Sequence, residues 1–445
     1  MMTTLGTCLL ILCLIPSILS ASSTTHKLSS FTGNAPQKIP GIADGSKIYL
    51  SSRDKAAYLA RITLSTNGAT TTLDKILNNF DTDGFLNGWP VNSDLTITTT
   101  NSDGLTKNLT GELFVATPVM ANDPNFLVFT VRGHKILDRS KADDTTIVFL
   151  TAYNPNTDGL PDYAGFQHIR VESFVQPKTT SLSFYRYLPN DNYADVTNLD
   201  TTQRRIFSNP LKYFASGTLQ TTFFTLIDPL QFSQSVWFRG IGGFELTVSD
   251  AYVDTTIIQA EANTVTGMSN SQLLTYNSQV NFAPMANNRY GTSGYVLTTE
   301  LFQIANLTVQ LNGQGALSSS LQVAGAQNVV NSEQVQPWPA VNLVLKPSGL
   351  FAGLYYAQYF NIDGGPVTAA PATTTNIPST TGSAGSGSSS SMTVNPAASS
   401  SSSVAPTSSQ STATPNVETT TKYSPVSFTL VSIFATLVHY VVLHY

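Results

Sequence analysis

Gln167-His-Ile-Arg-Val-Glu-Ser173 and Ser181-Leu-Ser-Phe-Tyr-Arg-Tyr187 alternate apolar and polar side chains. A period of two residues is typical of a strand with one buried face. The same alternation occurs at Lys47–Leu50, Tyr58–Leu64 and Phe126–Val131, and again between Leu219 and Leu345. Asn-Gly and Asp-Gly pairs, which supply the residues that tight hairpin turns need, lie between these runs. The sequence therefore predicts an all-β fold of antiparallel strands.

A polar stretch from Pro189 to Pro210 interrupts the strand-like runs. We expect two β-sandwich-like halves of jelly-roll, CUB-type or Ig-like kind, at residues 24–188 and 213–365, joined by a linker at 189–212. One large sandwich with a long insertion is the alternative. Tyr58–Leu64 resembles an early strand of CUB-type sandwiches, but the cysteines that mark those domains are absent. One short helix is predicted between Thr72 and Phe80 from its apolar spacing.

The N-terminus carries an apolar run from Leu9 to Leu19, followed by small residues from Ser20 to Ser23. This run is too short to span a bilayer, and it predicts a secretory signal peptide at residues 1–21. The region before it has no Lys or Arg, which departs from the usual pattern. An N-terminal membrane anchor is the alternative.

A second apolar segment occupies residues 426–445, with no Lys or Arg after it. Upstream lie a polar spacer and the small triplet Ser411-Thr412-Ala413. Together they form the pattern of a glycosylphosphatidylinositol (GPI) signal, with Ser411 as the expected attachment residue. A spanning helix is the alternative. Residues 366–425, in which Ser and Thr dominate, are expected to form a disordered Ser/Thr/Pro-rich stalk, O-glycosylated or unmodified.

Composition excludes several classes of site. Both cysteines, Cys8 and Cys13, lie in the expected signal peptide, so the mature chain would have no thiol nucleophile, zinc-thiolate site or disulfide. Charged residues make up 11% of the chain, the net charge is −5, and no basic patch indicates a nucleic-acid partner. Asn108-Leu-Thr110 and Asn306-Leu-Thr308 are acceptor sequences for N-glycosylation, so we expect glycans on Asn108 and Asn306.

One loop resembles the calcium loops of thrombospondin-type and EF-hand-like repeats. The oxygen ligands would come from Asn154, Asn156, Asp158 and Asp162, with Gly159 at the sharp turn. Gly165 stands where the resemblance requires a bidentate acid, so any calcium affinity would be low. Asn79-Phe-Asp-Thr-Asp-Gly-Phe-Leu-Asn87 is a poorer copy, whose Asn-Asp-Gly composition also suits a tight turn. No other cofactor is indicated.

No motif of a serine hydrolase, zinc protease or phosphate-binding loop occurs. His134 and His168 are the candidate bases of a triad, although the alternating run around His168 favours a surface strand position. The aromatic segment 350–360 is expected to be buried, whereas Trp89 and Trp338 are possible recognition residues.

These features predict a GPI-anchored, non-enzymatic glycoprotein at the extracellular face of the plasma membrane. It would act in adhesion, recognition or surface-coat formation, with the membrane and a protein or glycan ligand as partners. A membrane-tethered extracellular hydrolase and a calcium-stabilised surface module are the alternatives.

Overall fold

Short strands joined by turns form most of the structure, a computed structural model that describes residues 23–92, 94–100, 104–152, 168–195, 197, 204–271, 277–285, 289–301, 305–325, 329–349 and 353–366. These residues belong to one compact unit, Met1–Ala372. The first fourteen strands are β1 Thr24–Lys27, β2 Gln37–Lys38, β3 Ser46–Ser51, β4 Ile62–Thr66, β5 Ala69–Thr72, β6 Trp89–Val91, β7 Thr96–Thr99, β8 Glu112–Ala116, β9 Phe126–Thr130, β10 Lys135–Asp138, β11 Asp144–Leu150, β12 Ile169–Val175, β13 Ser181–Arg186 and β14 Arg205–Asn209. The next fourteen are β15 Leu211–Ala215, β16 Thr218–Thr222, β17 Leu230–Phe232, β18 Val236–Ile241, β19 Glu245–Ser249, β20 Ile257–Gln259, β21 Val265–Asn270, β22 Ser278–Asn281, β23 Arg289–Glu300, β24 Asn306–Gly313, β25 Ser318–Ala324, β26 Ser332–Gln336, β27 Ala340–Ser348 and β28 Leu354–Pro366.

Helices in the described ranges are single turns. They are α1 Ala56–Leu59, α2 Leu73–Ile76 and α3 Pro118–Asn122, with 3-10 turns at Leu28–Ser30 and Leu105–Asn108. None of these helices has the length and apolar character needed to cross a bilayer. The helix expected between Thr72 and Phe80 is present as α2, but it ends at Ile76 because the backbone is extended at Leu77 and left-handed at Asn78.

The N-terminal residues form a sandwich of two four-stranded sheets. Sheet A has the order β2-β7-β4-β5, and sheet B has the order β1-β8-β3-β6. Alternate residues of both sheets turn inward, so that Ile62 and Leu64 of β4 join Ile48 and Leu50 of β3 in one hydrophobic core. This alternation is the pattern that the sequence predicted.

A second sandwich lies in the middle of the chain. Sheet C has the order β14-β13-β18-β11-β9, and sheet D has the order β10-β19-β12-β17. Phe184 and Phe238 of sheet C share a core with Val171 and Leu246 of sheet D. The ladders of these two sheets are antiparallel except that of β9 with β11.

Sheets B and C also pack together through their other faces. Tyr49 and Phe114 of sheet B join Val148, Tyr185 and Trp237 of sheet C in a separate cluster. The Trp237 ring stacks on Tyr185 with centroids 4.0 Å apart. Sheets A, B, C and D therefore follow one another as layers, and both faces of B and C are covered.

The C-terminal residues form a third sandwich. Sheet E has the order β21-β28-β23-β26, and sheet F has the order β20-β22-β27-β24-β25. Tyr295 and Tyr359 of sheet E share a core with the alternating apolar residues of β24 in sheet F, which are Leu307, Val309 and Leu311. The hairpin β15–β16 stands beside this sandwich and covers Phe360 with Tyr213.

The structure confirms the all-β prediction. The expected linker, residues 189–212, contains β14. This strand pairs with β13, which precedes the expected linker in the sequence. Strand β18, from the expected second half, lies between β11 and β13 of the first half. We expected a boundary because the stretch is polar overall, but Ile206 and Phe207 within it are buried in the central core. The strands on the two sides of residues 189–212 thus share one sheet. Residues 1–22 and 367–445, with the signal peptide and all but the first residue of the stalk and tail, lie outside the described residues.

Candidate ligand-binding cleft

A cleft of about 490 Å³ opens where sheet B meets the edge of sheet C. We call it the Glu112 cleft. Most of the described residues that line it carry a polar group, and these lining residues are Ser23, Thr25, Lys27, Glu112, Thr151, Tyr187, Leu188, Arg204, Gln234 and Ser235. Its volume falls in the range of small-molecule sites, roughly 300–1,000 Å³.

Strand direction brings these residues together. Strand β18 is antiparallel to both β11 and β13, and β14 is antiparallel to β13. The C-terminal ends of β11 and β13 therefore lie beside the N-terminal ends of β14 and β18. Thr151 and Tyr187 follow the first two strands, and Arg204 and Ser235 precede the other two. Sheet B adds Lys27 and Glu112, which are direct partners across the β1–β8 ladder.

The carboxyl of Glu112 is held by a chain of hydrogen bonds. The Ser235 hydroxyl donates to Glu112 Oε1. The backbone N–H of Thr151 in turn donates to Ser235 Oγ at 3.0 Å. Burial raises the pKa of Glu112 to about 7, although the Ser235 hydrogen bond and the charge of Lys27 act in the opposite direction. Glu112 therefore changes charge near neutral pH, which is a property of many functional carboxyls.

Tyr187 forms one wall of the cleft. Its φ of 64° lies in the left-handed region, a conformation that costs a bulky residue about 1–3 kcal/mol and recurs at functional sites. The guanidinium carbons of Arg186 and Arg204 lie 4.8 and 5.8 Å from its ring centroid. Its hydroxyl donates to Glu300, which also lies 3.6 Å from Arg186 Nη1. The ring is thus held by cations while 44% of the residue stays exposed.

The charges of the lining are uneven. Lys27 and Arg204 carry positive charge, and Glu112 is the one carboxylate among the lining residues. Arg204 Nη1 donates to the carbonyl of Leu188 at 3.1 Å, which fixes the guanidinium at the wall. Among the described lining residues the cations thus outnumber the carboxyls, although the whole chain is acidic.

Among the described residues, His134 does not meet a nucleophile in the order that a triad requires. His134 Nε2 lies 3.4 Å from Glu172 Oε2. The hydroxyl of Ser249 donates to Glu172 Oε1 at 2.6 Å, so the acid, and not the histidine, lies between the other two groups. In a triad the base accepts the proton of the nucleophile.

His168 is 3% exposed, so the surface position that we expected for it is wrong. It precedes β12 and its ring packs on Tyr252 with centroids 4.8 Å apart. Burial, and then the charge of Arg53, lower its pKa to about 4.

The better of the two expected calcium loops, with Asn154, Asn156, Asp158 and Asp162, lies outside the described residues. The poorer copy forms a tight turn. Asp81 Oδ1 accepts the backbone N–H groups of Asp83 and Phe85, each at 2.9 Å, and Gly84 has a φ of 86°. Across the described ranges, no group of three His, Cys, Asp or Glu side chains is arranged to hold a metal ion.

The remaining sequence candidates divide into exposed and packed residues. Asn108 and Asn306 are both exposed, as glycan transfer requires, while Ser411 lies outside the described residues. Trp89 and Trp338 are partly buried against the N-terminal and C-terminal cores. Within residues 353–360, the side chains from Tyr355 to Phe360 are buried, which confirms the expectation for this segment.

Sequence reasoning missed the Glu112 cleft. Lys27, Glu112 and Arg204 are far apart along the chain, and only the pairing of β1 with β8 and the order of sheet C bring them together. The one available signal was the Arg204-Arg205 pair in an otherwise weakly charged chain, which we assigned to a linker.

Comparison with known proteins identifies a family for this chain. A family model described as transmembrane glycoprotein matches residues 43–438. No curated protein matches the chain. Among solved structures, the mosquito-larvicidal Cry4Aa toxin of Bacillus thuringiensis is 10% identical with a TM-score of 0.16, over 73% of this chain and 43% of the toxin. The structure of infectious bursal disease virus Gt strain gives 10% identity and a TM-score of 0.12, over 79% of this chain and 75% of that one. Likenesses this low carry no argument about function.

Proposed function

The chain belongs to the transmembrane glycoprotein family, and from that premise we propose that it is a GPI-anchored, non-enzymatic surface glycoprotein that recognises a ligand through the Glu112 cleft. Membership of the family supports a surface glycoprotein. The cleft is the observation that favours recognition over adhesion or coat formation, because it offers several fixed polar groups around one concavity.

The proposed anchor rests on the sequence of the tail, residues 426–445, and on the small triplet at Ser411. The family's description favours a spanning helix instead. Phospholipase C treatment of cells that express the full chain distinguishes the two. Release of the ectodomain into the medium supports the GPI anchor, and retention of the protein on the cells favours a spanning helix.

A membrane-tethered hydrolase is a second proposal, favoured by one observation, the pKa of Glu112 near 7. A general acid needs such a pKa, but glycoside hydrolysis uses two carboxylates about 5–9.5 Å apart. Glu112 is the single carboxylate among the lining residues that the structure describes. Release of a fluorescent aglycone from a panel of glycosides, lost in Glu112→Gln, would support the hydrolase and contradict a purely recognising cleft.

A calcium-stabilised ectodomain is the third proposal, and it rests on the loop from Asn154 to Asp162 alone. Calcium should then raise the melting temperature of the protein, and a chelator should lower it. A melting temperature that neither reagent changes would remove this proposal.

A further inference from the structure

We propose that the Glu112 cleft binds an acidic monosaccharide, whose carboxylate pairs with Lys27 and Arg204 and whose hydroxyl groups bond to the polar lining. The inference rests on the recognition function proposed above and names its ligand class.

The first support is the distribution of charge. Lys and Arg account for 22 of 445 residues, yet two of them lie in one small lining. Lys27 lies on β1 of sheet B and Arg204 precedes β14 of sheet C, and both line the cleft, so a ligand in the cleft could meet both. A guanidinium matches a carboxylate well, because its parallel N–H groups can donate to both oxygens.

The second support is the chemistry of the remaining lining. Thr25, Thr151 and Gln234 offer hydroxyl and amide groups, which can donate to and accept from sugar hydroxyls, whereas the Ser235 hydroxyl already donates to Glu112. Tyr187 is 44% exposed, and the guanidinium carbons of Arg186 and Arg204 lie 4.8 and 5.8 Å from its ring centroid, so the exposed part of a positioned ring can pack against a sugar at little cost in entropy. An acidic peptide would also match the cations and could bond to the hydroxyl groups through its backbone, so a diglutamate peptide is included in the test as a competitor.

The third support is the position of Glu112 beside the cations. The titratable groups of the lining around it are Lys27 on β1, Arg204 before β14 and Tyr187 after β13. Of these, Lys27 acts on the Glu112 pKa through its charge. Below pH 7 Glu112 is neutral and can donate a hydrogen bond to the ligand. Above pH 7 its charge repels the ligand carboxylate, so affinity should fall between pH 6 and pH 8.

The test uses the full chain, purified in detergent from a eukaryotic secretory host, so that its result does not depend on the kind of anchor. Saturation-transfer NMR and calorimetry at pH 6 compare four acidic sugars with two matched probes. The acidic sugars are glucuronate, galacturonate, iduronate and N-acetylneuraminate. Glucose lacks the carboxylate, and cyclohexanecarboxylate lacks the hydroxyls.

We expect at least one acidic sugar to bind about tenfold more tightly than both matched probes, since a charge-assisted hydrogen bond contributes about 1.5–3 kcal/mol. Binding of glucose with equal affinity would overturn the role of the cations. If cyclohexanecarboxylate or a diglutamate peptide binds with the same affinity as the acidic sugars, the assignment of a sugar as the ligand is wrong. Absence of binding by all four acidic sugars at about ten millimolar would overturn the proposal as a whole, although a neutral glycan found on an array would still support recognition.

Variants locate the site. Arg204→Gln and Lys27→Gln should each weaken binding about tenfold. Arg61→Gln is the matched control, because Arg61 also lies over a tyrosine ring, 5.6 Å from the centroid of Tyr58, and is not part of the lining. Glu112→Gln should bind with the same affinity at pH 6 and pH 8. Loss of affinity in Arg61→Gln to the same extent, or a pH dependence unchanged in Glu112→Gln, would contradict the assignment.

Discussion

At the scale of single residues, burial moves the pKa of Glu112 and of His168 in opposite directions. The pKa of Glu112 rises to about 7 and that of His168 falls to about 4. Burial disfavours the charged form in both cases, and the charged form of an acid is the deprotonated one whereas that of a histidine is the protonated one. The two groups therefore make opposite contributions to the pH dependence of stability.

Glu112→Gln should flatten the stability profile between about pH 4.5 and pH 7. Because the folded protein holds this proton more tightly than the unfolded chain, Glu112 lowers stability as the pH rises from about 4.5 to about 7, by up to about 3 kcal/mol. Gln keeps an acceptor for Ser235 but does not titrate. Urea unfolding of both proteins at pH 5, 6, 7 and 8 gives the difference. A difference that is constant over this range would contradict the raised pKa.

His168→Phe should flatten the stability profile between about pH 4 and pH 6.5. The neutral imidazole stabilises the fold above pH 6.5, and this contribution, up to about 3 kcal/mol, is lost as the pH falls towards about 4. Phe keeps a ring against Tyr252 and removes the titration. The slope of unfolding free energy between pH 4 and pH 6.5 is the readout, because the substitution also changes packing at every pH. An unchanged slope would contradict burial of a neutral histidine.

Tyr359→Phe should destabilise the protein by about 1–3 kcal/mol, because it removes the hydroxyl donor to the buried Asp228 carboxyl and leaves that carboxyl with the longer hydrogen bond from the Glu261 backbone N–H, at 3.2 Å. Tyr359 donates to Asp228 Oδ2 at 2.6 Å, and both residues are buried. Tyr295→Phe is the matched control, since Tyr295 is buried in the same core and its hydroxyl has no hydrogen-bond partner in the described structure. Equal losses in the two variants, measured by urea unfolding, would contradict a specific contribution of the hydrogen bond from Tyr359 to Asp228.

At the scale of elements, β28 has both faces covered. Tyr355, Ala357 and Tyr359 face the C-terminal core, while Tyr356 packs in the central core and Phe360 lies under the β15–β16 hairpin. The side chain of Gln358 joins this strand to sheet C. Its Oε1 accepts the N–H of Ser208 at 2.9 Å, and its Nε2 donates to the carbonyl of the same residue at 2.8 Å. The amide thus pairs with β14 as a neighbouring strand would.

Gln358→Glu should cost about 2–4 kcal/mol of stability, because the carboxylate cannot donate to Ser208 and is buried. Gln322→Glu, on the exposed side of β25, should change stability by less than about 0.5 kcal/mol. The measurement is the free energy of unfolding in urea. Equal values for the two variants would show that Gln358 does not couple the sheets.

At the scale of the whole molecule, glycans should attach at two separated places. Asn108 follows sheet A, and Asn306 begins β24 in sheet F, and both are exposed. In a secretory host, Asn108→Gln and Asn306→Gln should each lower the mass of the protein by one N-linked glycan, so that peptide N-glycosidase then removes one glycan fewer. The double variant should be insensitive to the enzyme at these sites. A single variant whose mass equals that of the unchanged protein would show that its site carries no glycan.

The sequence predicts local structure better than assembly. Ser181–Tyr187 alternates, and β13 runs from Ser181 to Arg186, since alternation reports directly which side chains are buried. It does not report which strand lies beside it. The insertion of β18 between β11 and β13 is therefore absent from the local pattern, and so is the cleft that this order creates. We interpreted residues 189–212 as a linker because most of them are polar, although Ile206 and Phe207 within this stretch are buried in the central core.

The position of β28 in the chain has a consequence for biosynthesis. Strand β14 and Gln358 are separated by about 150 residues, so at roughly 5–20 residues per second the ribosome delivers the partner about 7–30 s after Ser208. During that interval the nascent chain presents an unfinished apolar surface at Phe207 and Met268, whose cover includes Tyr356. Chaperones should therefore hold this intermediate until the last strand emerges, and a ribosome stalled before residue 354 should leave it bound to them.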